Sequence, residues 1–344
     1  RLLIAQYTLQ AAYHNAIDAG KTVMALLEFP LPSEHDAGEI DDEITEIQRI
    51  LDQTKRATLL HAPALTQPTK IAAMQILETL LTPAWNIDPL LHRLIIAQMM
   101  RISLKDGHCP ASATAYALYG VFVGSPYHDH AAANVWGALA LKVSDLLQSP
   151  MHKAKTSCIV AAQILPLVRY IKESHRLEHD AYQIAMSAGE VHLAGVALTY
   201  RLAHLWHEGA NLEQFLQHIA EFSAFTASTR DRYAAAVMTA CQLIAHNLRG
   251  LTPDCQTFQT DTVSEEAFLQ QCRDDRHTFA ICAYYIMKAR VLCLYGLFQE
   301  AQAALGRMKH LRQSMDGFLL CADAALAEAF CVIAKTADAP AEAR

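Results

Sequence analysis

Tyr116-Ala117-Leu118-Tyr119-Gly120-Val121-Phe122-Val123, followed by Ala132-Ala133-Asn134-Val135-Trp136, decides the fold. Large residues stand at positions 116, 119 and 123, spaced three and four apart, with the smallest residue at 120. That spacing puts all four on one face of a helix. Twelve residues beyond Gly120 comes the small Ala132, with the aromatic Trp136 four later. The layout predicts two helices that approach closely at the small residues, while the large ones fill the gaps between them. Such a hairpin cannot bury its whole apolar stripe alone, so neighbouring hairpins must stack against it.

The same separation recurs twice. Tyr182 precedes Ala194 by twelve residues, with Leu198 four later and Gly189-Glu190 at the turn. Ala289 precedes Ala301 by twelve, with Leu305 four later, Gly296 and Phe298 at the turn, and Tyr285 leading the first helix. This is the order of large and small residues found in tetratricopeptide repeats. The predicted class is all-α: stacked antiparallel helix pairs in a degenerate tetratricopeptide-like solenoid. One helical-repeat domain is expected over 1–335, with a softer division near the 250–263 loop and a polar, Ala-rich tail at 336–344.

Composition agrees. Of 344 residues 52% are hydrophobic, and the 13 Gly and 12 Pro lie mainly between apolar runs. That leaves long helix-forming stretches and enough apolar surface for a large core. The formal charge of −7, without a run of Lys or Arg, argues against nucleic acid or an anionic membrane as partner. Nine cysteines are scattered singly and form no CxxC pair, the usage of a reducing compartment rather than a disulfide framework. No uncharged apolar run reaches 18 residues, so no spanning helix is expected, and a cytoplasmic location is. The start, Arg1-Leu2-Leu3-Ile4-Ala5, lacks Met and a signal layout and reads as mid-helix, as in a fragment of a larger multidomain protein.

Punctuation supplies boundaries. Asp88-Pro89 opens a helix over 90–104 that Gly107 closes, and Pro110 opens the next. Asp129 is a candidate cap, and Ser264-Glu265-Glu266 places acids in a first turn. Ile40, Ile44, Ile47 and Leu51 mark a helix over 39–51. A connector with Pro63 and Pro68 leads to a helix over 71–81, and Thr252–Val263 reads as a surface loop.

Four short strings imitate chemistry. Gly20-Lys21-Thr22 resembles the end of a phosphate-binding loop, but Asn15 stands where that loop needs its first Gly, and 11–27 reads as continuous helix. His175-Arg176-Leu177-Glu178-His179 spells a zinc-protease motif whose histidines share a helix face, yet no third ligand stands out. Its charged neighbours Lys172, Glu173, Arg176 and Asp180 mark it as an exposed face. His204-x-x-His207 suits the negative end of a helix, and His128-Asp129-His130 a loop-to-helix junction. No catalytic, cofactor-binding or metal-ligating residue is assigned, and no cofactor is expected.

A broader resemblance runs along residues 1 to about 330. It is carried, in order, by Ala16-Ile17-x2-Gly20 leading to Leu31-Pro32, by Lys70–Leu77 with Pro83-Ala84-Trp85, and by Ser103–Gly107. Ser112–Gly120, Gly137–Leu141, and Ala181-Tyr182 through Gly189-Glu190 follow. Ser264-Glu265-Glu266 and Tyr285-x2-Lys288-x3-Leu292 on to Ala301 complete it. Together they resemble the helical region following the AAA-type (STAND-like) ATPase module of large bacterial proteins. Those proteins join a serine/threonine kinase-like domain, that ATPase, a GAF domain and a sensor histidine kinase. His128–His130 departs from the family's Gly-Asp type of turn. The resemblance implies a non-catalytic signalling scaffold within a kinase/ATPase parent. Its partners would be proteins, either neighbouring ATPase, GAF or kinase domains or a peptide segment. The rival readings are a metal-dependent hydrolase built on His175 and His179, and a small-molecule sensor with a pocket between repeats.

Overall fold

Helix-favouring runs between well-placed breakers become helices throughout. The computed structural model describes residues 1–32, 37–53, 56–125, 128–315 and 317–338, and no strand occurs among them. The chain divides into two compact units, Arg1–Arg169 and Tyr170–Arg344. The 250–263 segment, expected as the softer boundary, lies inside the second unit. Of the expected tail, 336–338 close the last helix and 339–344 lie outside the described residues. No helix among the described residues is long and apolar enough to cross a membrane.

The first unit contains α1 (Leu2–Leu9), α2 (Tyr13–Leu26), α3 (Ala37–Gln53), α4 (Arg56–Leu59) and α5 (Pro68–Ile87), then α6 (Pro89–Asp106), α7 (Pro110–Gly124), α8 (His130–Leu146), α9 (Pro150–Gln163) and α10 (Leu165–Val168). Its centre is α7, eleven of whose fifteen residues are buried. A helix apolar on every side must be enclosed by others, and α6, α8 and α9 pack around it. A Cβ on Gly120 would stand 3.0 Å from Trp136 Cβ and 3.2 Å from the Ala133 carbonyl. Glycine is what lets α7 and α8 approach so closely. Trp136 stacks on Tyr116 with centroids 5.7 Å apart and meets Tyr119 edge-on at 5.1 Å. The spacing argument is corrected by one residue: buried Ala133, not half-buried Ala132, is the small residue facing α7.

Caps and breakers act largely as expected. Asp88 Oδ1 accepts from Leu91 N at 3.0 Å, and Asp129 Oδ1 from Ala132 N at 2.9 Å. The expected helix over 71–81 extends from Pro68 to Ile87, straight through Pro83. Gly107, at φ +108°, brings the chain so close to the Pro63 connector that a Cβ would lie 2.2 Å from the Pro63 carbonyl oxygen. His108 N donates to that oxygen and Leu65 N to His108 O, both at 2.8 Å. The connector is thereby pinned to the α6–α7 corner.

The second unit contains α11 (Ser174–Ser187), α12 (Val191–His207), α13 (Leu212–Thr229) and α14 (Arg232–Leu248), then α15 (Glu265–Asp274), α16 (Thr278–Leu294), α17 (Phe298–Met308) and α18 (Leu320–Asp338). Here α16 is central, with twelve of seventeen residues buried. The second and third spacing matches form the α11–α12 and α16–α17 hairpins. Gly189 and Gly296 both turn at φ +75°, and Ala194, Ala289 and Ala301 are buried. The expected surface loop is in fact anchored. Buried Asn247 directs its Nδ2 at four oxygens of residues 252–257, between 3.0 and 3.4 Å, and Phe258 is fully buried.

Candidate functional site

Gly20-Lys21-Thr22 and His175–His179 both fall within helices. Gly20 lies inside α2, where a Cβ would stand 2.4 Å from a methyl of fully buried Leu80. Its role is close approach of α2 to α5, and the Gly20-Lys21-Thr22 string is a helical turn, not a phosphate cradle. His179 is exposed on α11, while His175, one turn earlier and half-buried, touches Glu208 at the end of α12. Among the described residues no three His, Cys, Asp or Glu side chains are grouped to hold a metal ion. Burial pushes the thiols of Cys241, Cys272, Cys282 and Cys293 up to about 12, which keeps them protonated and poor as nucleophiles.

The exposed-face reading of 172–180 needs correction. Glu178 is 3% exposed and lies on the buried stripe Ser174, Glu178, Ala181, Ala185. Its carboxylate contacts His204, also buried, and lies 3.7 Å from Arg201 Nη1, both on α12. His204 therefore meets a buried carboxylate of the neighbouring helix rather than serving only the helix end. The missed signal was the spacing of residue 178 with small residues on both sides, which assigns it inward whatever its charge. His207 does combine both roles. Its Nδ1 donates to the Ala203 carbonyl at 2.8 Å, and Nε2 lies 3.1 Å from Asp323 Oδ2 on α18. Burial alone would lower the imidazole's pKa, but the Asp323 carboxylate outweighs it and the net shift is upward. Asp323 is also stabilised as an anion, accepting from Trp206 Nε1 at 3.1 Å.

Two concavities stand out. In the first unit an open groove of about 820 Å³ runs between α3, α6 and the Phe29–Pro32 segment. Its floor is apolar, with Phe29, Leu31, Leu94 and Ile102. Six carboxylates and three cations line it, and each cation is already matched: Lys70 with Asp106 at 2.5 Å, Lys105 with Glu46 at 2.6 Å, Arg101 with Glu43 at 3.7 Å. Arg49 and Lys105 hold the Glu46 carboxyl down at about 2. The remaining lining carboxylates include exposed Glu28 and Asp42, so the groove is net acidic. In the second unit a cavity of about 240 Å³ lies against Trp206, His207, Arg290 and Asp323. Periodicity could place neither, because each joins residues far apart in sequence.

No protein-family model, curated protein or solved structure matches the chain.

Proposed function

We propose that the chain is a non-catalytic helical-repeat scaffold of tetratricopeptide-like hairpins that docks a protein segment in the acidic groove of its first unit. One observation carries the reading: an open groove with an apolar floor and surplus negative charge, whose own cations are already engaged. Such a surface suits an extended or helical segment that presents Lys or Arg beside an apolar side chain. The resemblance along the chain supports the wider role, in which docking informs a neighbouring ATPase or kinase domain through a change in helix packing.

Fluorescence anisotropy with a labelled amphipathic Lys/Leu peptide tests the docking. Wild-type chain should bind, more weakly as salt rises, and Glu28→Lys with Asp42→Lys should cut affinity about tenfold or more. Equal binding by the double variant, or equal binding of a Glu/Leu peptide, refutes the groove as the site. The coupling role is tested separately, by adding the purified chain to the ATPase module flanking it in the parent; unchanged turnover in that mixture counts against it.

A further inference from the structure

The cavity of the second unit is built from parts a helix junction does not need. Five helices and a turn meet around it: the end of α12, the turn at Gly209, the start of α13, the end of α14, and side chains from α16 and α18. Leu205, Leu212, Phe215 and Leu248 give it apolar walls. One wall alone is polar, where Arg290 meets Asp323 and His207.

On that wall the carboxylate has two nitrogens at 3.1 Å, and one nitrogen of the guanidinium makes no hydrogen bond. Asp323 Oδ2 lies 3.1 Å from both Trp206 Nε1 and His207 Nε2. Arg290 Nη1 stands 3.5 Å from Asp323 Oδ1, is itself buried, and has no hydrogen-bond partner. A buried donor left open costs stability unless something else fills it. A guanidinium fork beside a dry wall is the geometry that takes a carboxylate by two parallel hydrogen bonds. Asp323 is engaged by the indole and the imidazole, so it offers little to a cationic ligand. A cavity of about 240 Å³ is below the range typical of drug-sized ligands.

We propose that this cavity binds a small monocarboxylate with an aliphatic or aromatic body, its carboxylate on Arg290 and its apolar part against Leu212, Phe215 and Leu248. The site is separate from the groove of the first unit, so either reading can fail alone.

The probe is 4-fluorophenylacetate, followed by ¹⁹F NMR and by thermal melting of the full chain. Saturable binding at millimolar concentrations or tighter is expected, with a rise in Tm. The neutral 4-fluorophenylacetamide should bind about tenfold more weakly or worse. Arg290→Lys, which keeps the charge but loses the fork, should weaken the acid and leave the amide nearly unchanged. Because Arg290 variants also disturb its ion pair with Asp323, Leu212→Trp provides a second arm. It fills the cavity without touching the polar wall and should abolish binding in a folded chain. Acid and amide binding equally, or acid binding undiminished in a folded Leu212→Trp chain, overturns the proposal. So does the absence of any ¹⁹F or Tm response to the acid in the wild-type chain.

Discussion

The α7–α8 hairpin of the first unit and the α11–α12 hairpin of the second share a twelve-residue spacing yet are closed by different forces. In the first, Gly120 and Ala133 bring the helices together and Trp136 fills the space between Tyr116 and Tyr119. In the second, Ala181, Ala185 and Ala194 provide the close approach, and the gap holds Glu178 against His204 and Arg201. The spacing of small residues sets how near two helices come. What occupies the seam is chosen independently.

The comparison is most sharply tested by Trp136→Ala, which should cost about 4 kcal/mol, read by urea unfolding; a loss under about 1 kcal/mol would mean the stacked rings are not the keystone. Next is Glu178→Ala, expected to cost about 3 kcal/mol because Arg201 loses its counter-charge and buried His204 its polar partner. The double change Glu178→Leu with His204→Leu should recover the part of that loss due to His204, since an apolar pair needs no buried polar partner, while Arg201 can turn to solvent. Failure to recover would show that the pair is required for packing geometry as well as charge.

A smaller effect separates the units by pH. The upward shift of His207 means its pairing with Asp323 contributes fully below the unfolded imidazole value of 6.5 and is lost as pH rises through the higher folded value. The downward shift of Asp323 means its contribution is present above 3.8 and lost as pH falls through the lower folded value. Arg290, Trp206 and the Ala203 and Leu319 backbone complete the surroundings of the pair. His207→Gln should therefore lower Tm at pH 5.5 by the equivalent of about 1–2 kcal/mol and much less at pH 9. Equal losses at both would remove the charge from the account. The smallest effect expected is Asp129→Ala, about 1 kcal/mol from the lost cap of α8. Asp231→Ala should exceed it, because that carboxylate caps α14, meets His192 at 3.1 Å and fills the space left by Gly195.

Fold class and hairpin pairing were legible because they rest on local periodicity. Tyr116, Gly120 and Trp136, or Ala289 and Ala301, declare their faces through spacing alone. Register was less legible: with Ala131, Ala132 and Ala133 in a row, only the partner helix selects Ala133. The inward turn of Glu178 was legible in its spacing but masked by charged neighbours. The Arg290–Asp323–His207 wall was not legible, since it joins three residues distant in sequence through the packing of three helices.

Asn247 holds four oxygens of the 252–257 segment on one amide nitrogen that has only two protons to share. No single one of those bonds can be strong, yet all depend on the same atom, so the segment should let go as a whole rather than fray. Asn247→Asp would turn that donor into an acceptor facing oxygens. The release would carry Phe258 out from beneath Lys288, whose ammonium now rests 4.6 Å from its ring. The chain would then become an easy target for a protease across that one stretch while its helices stayed intact.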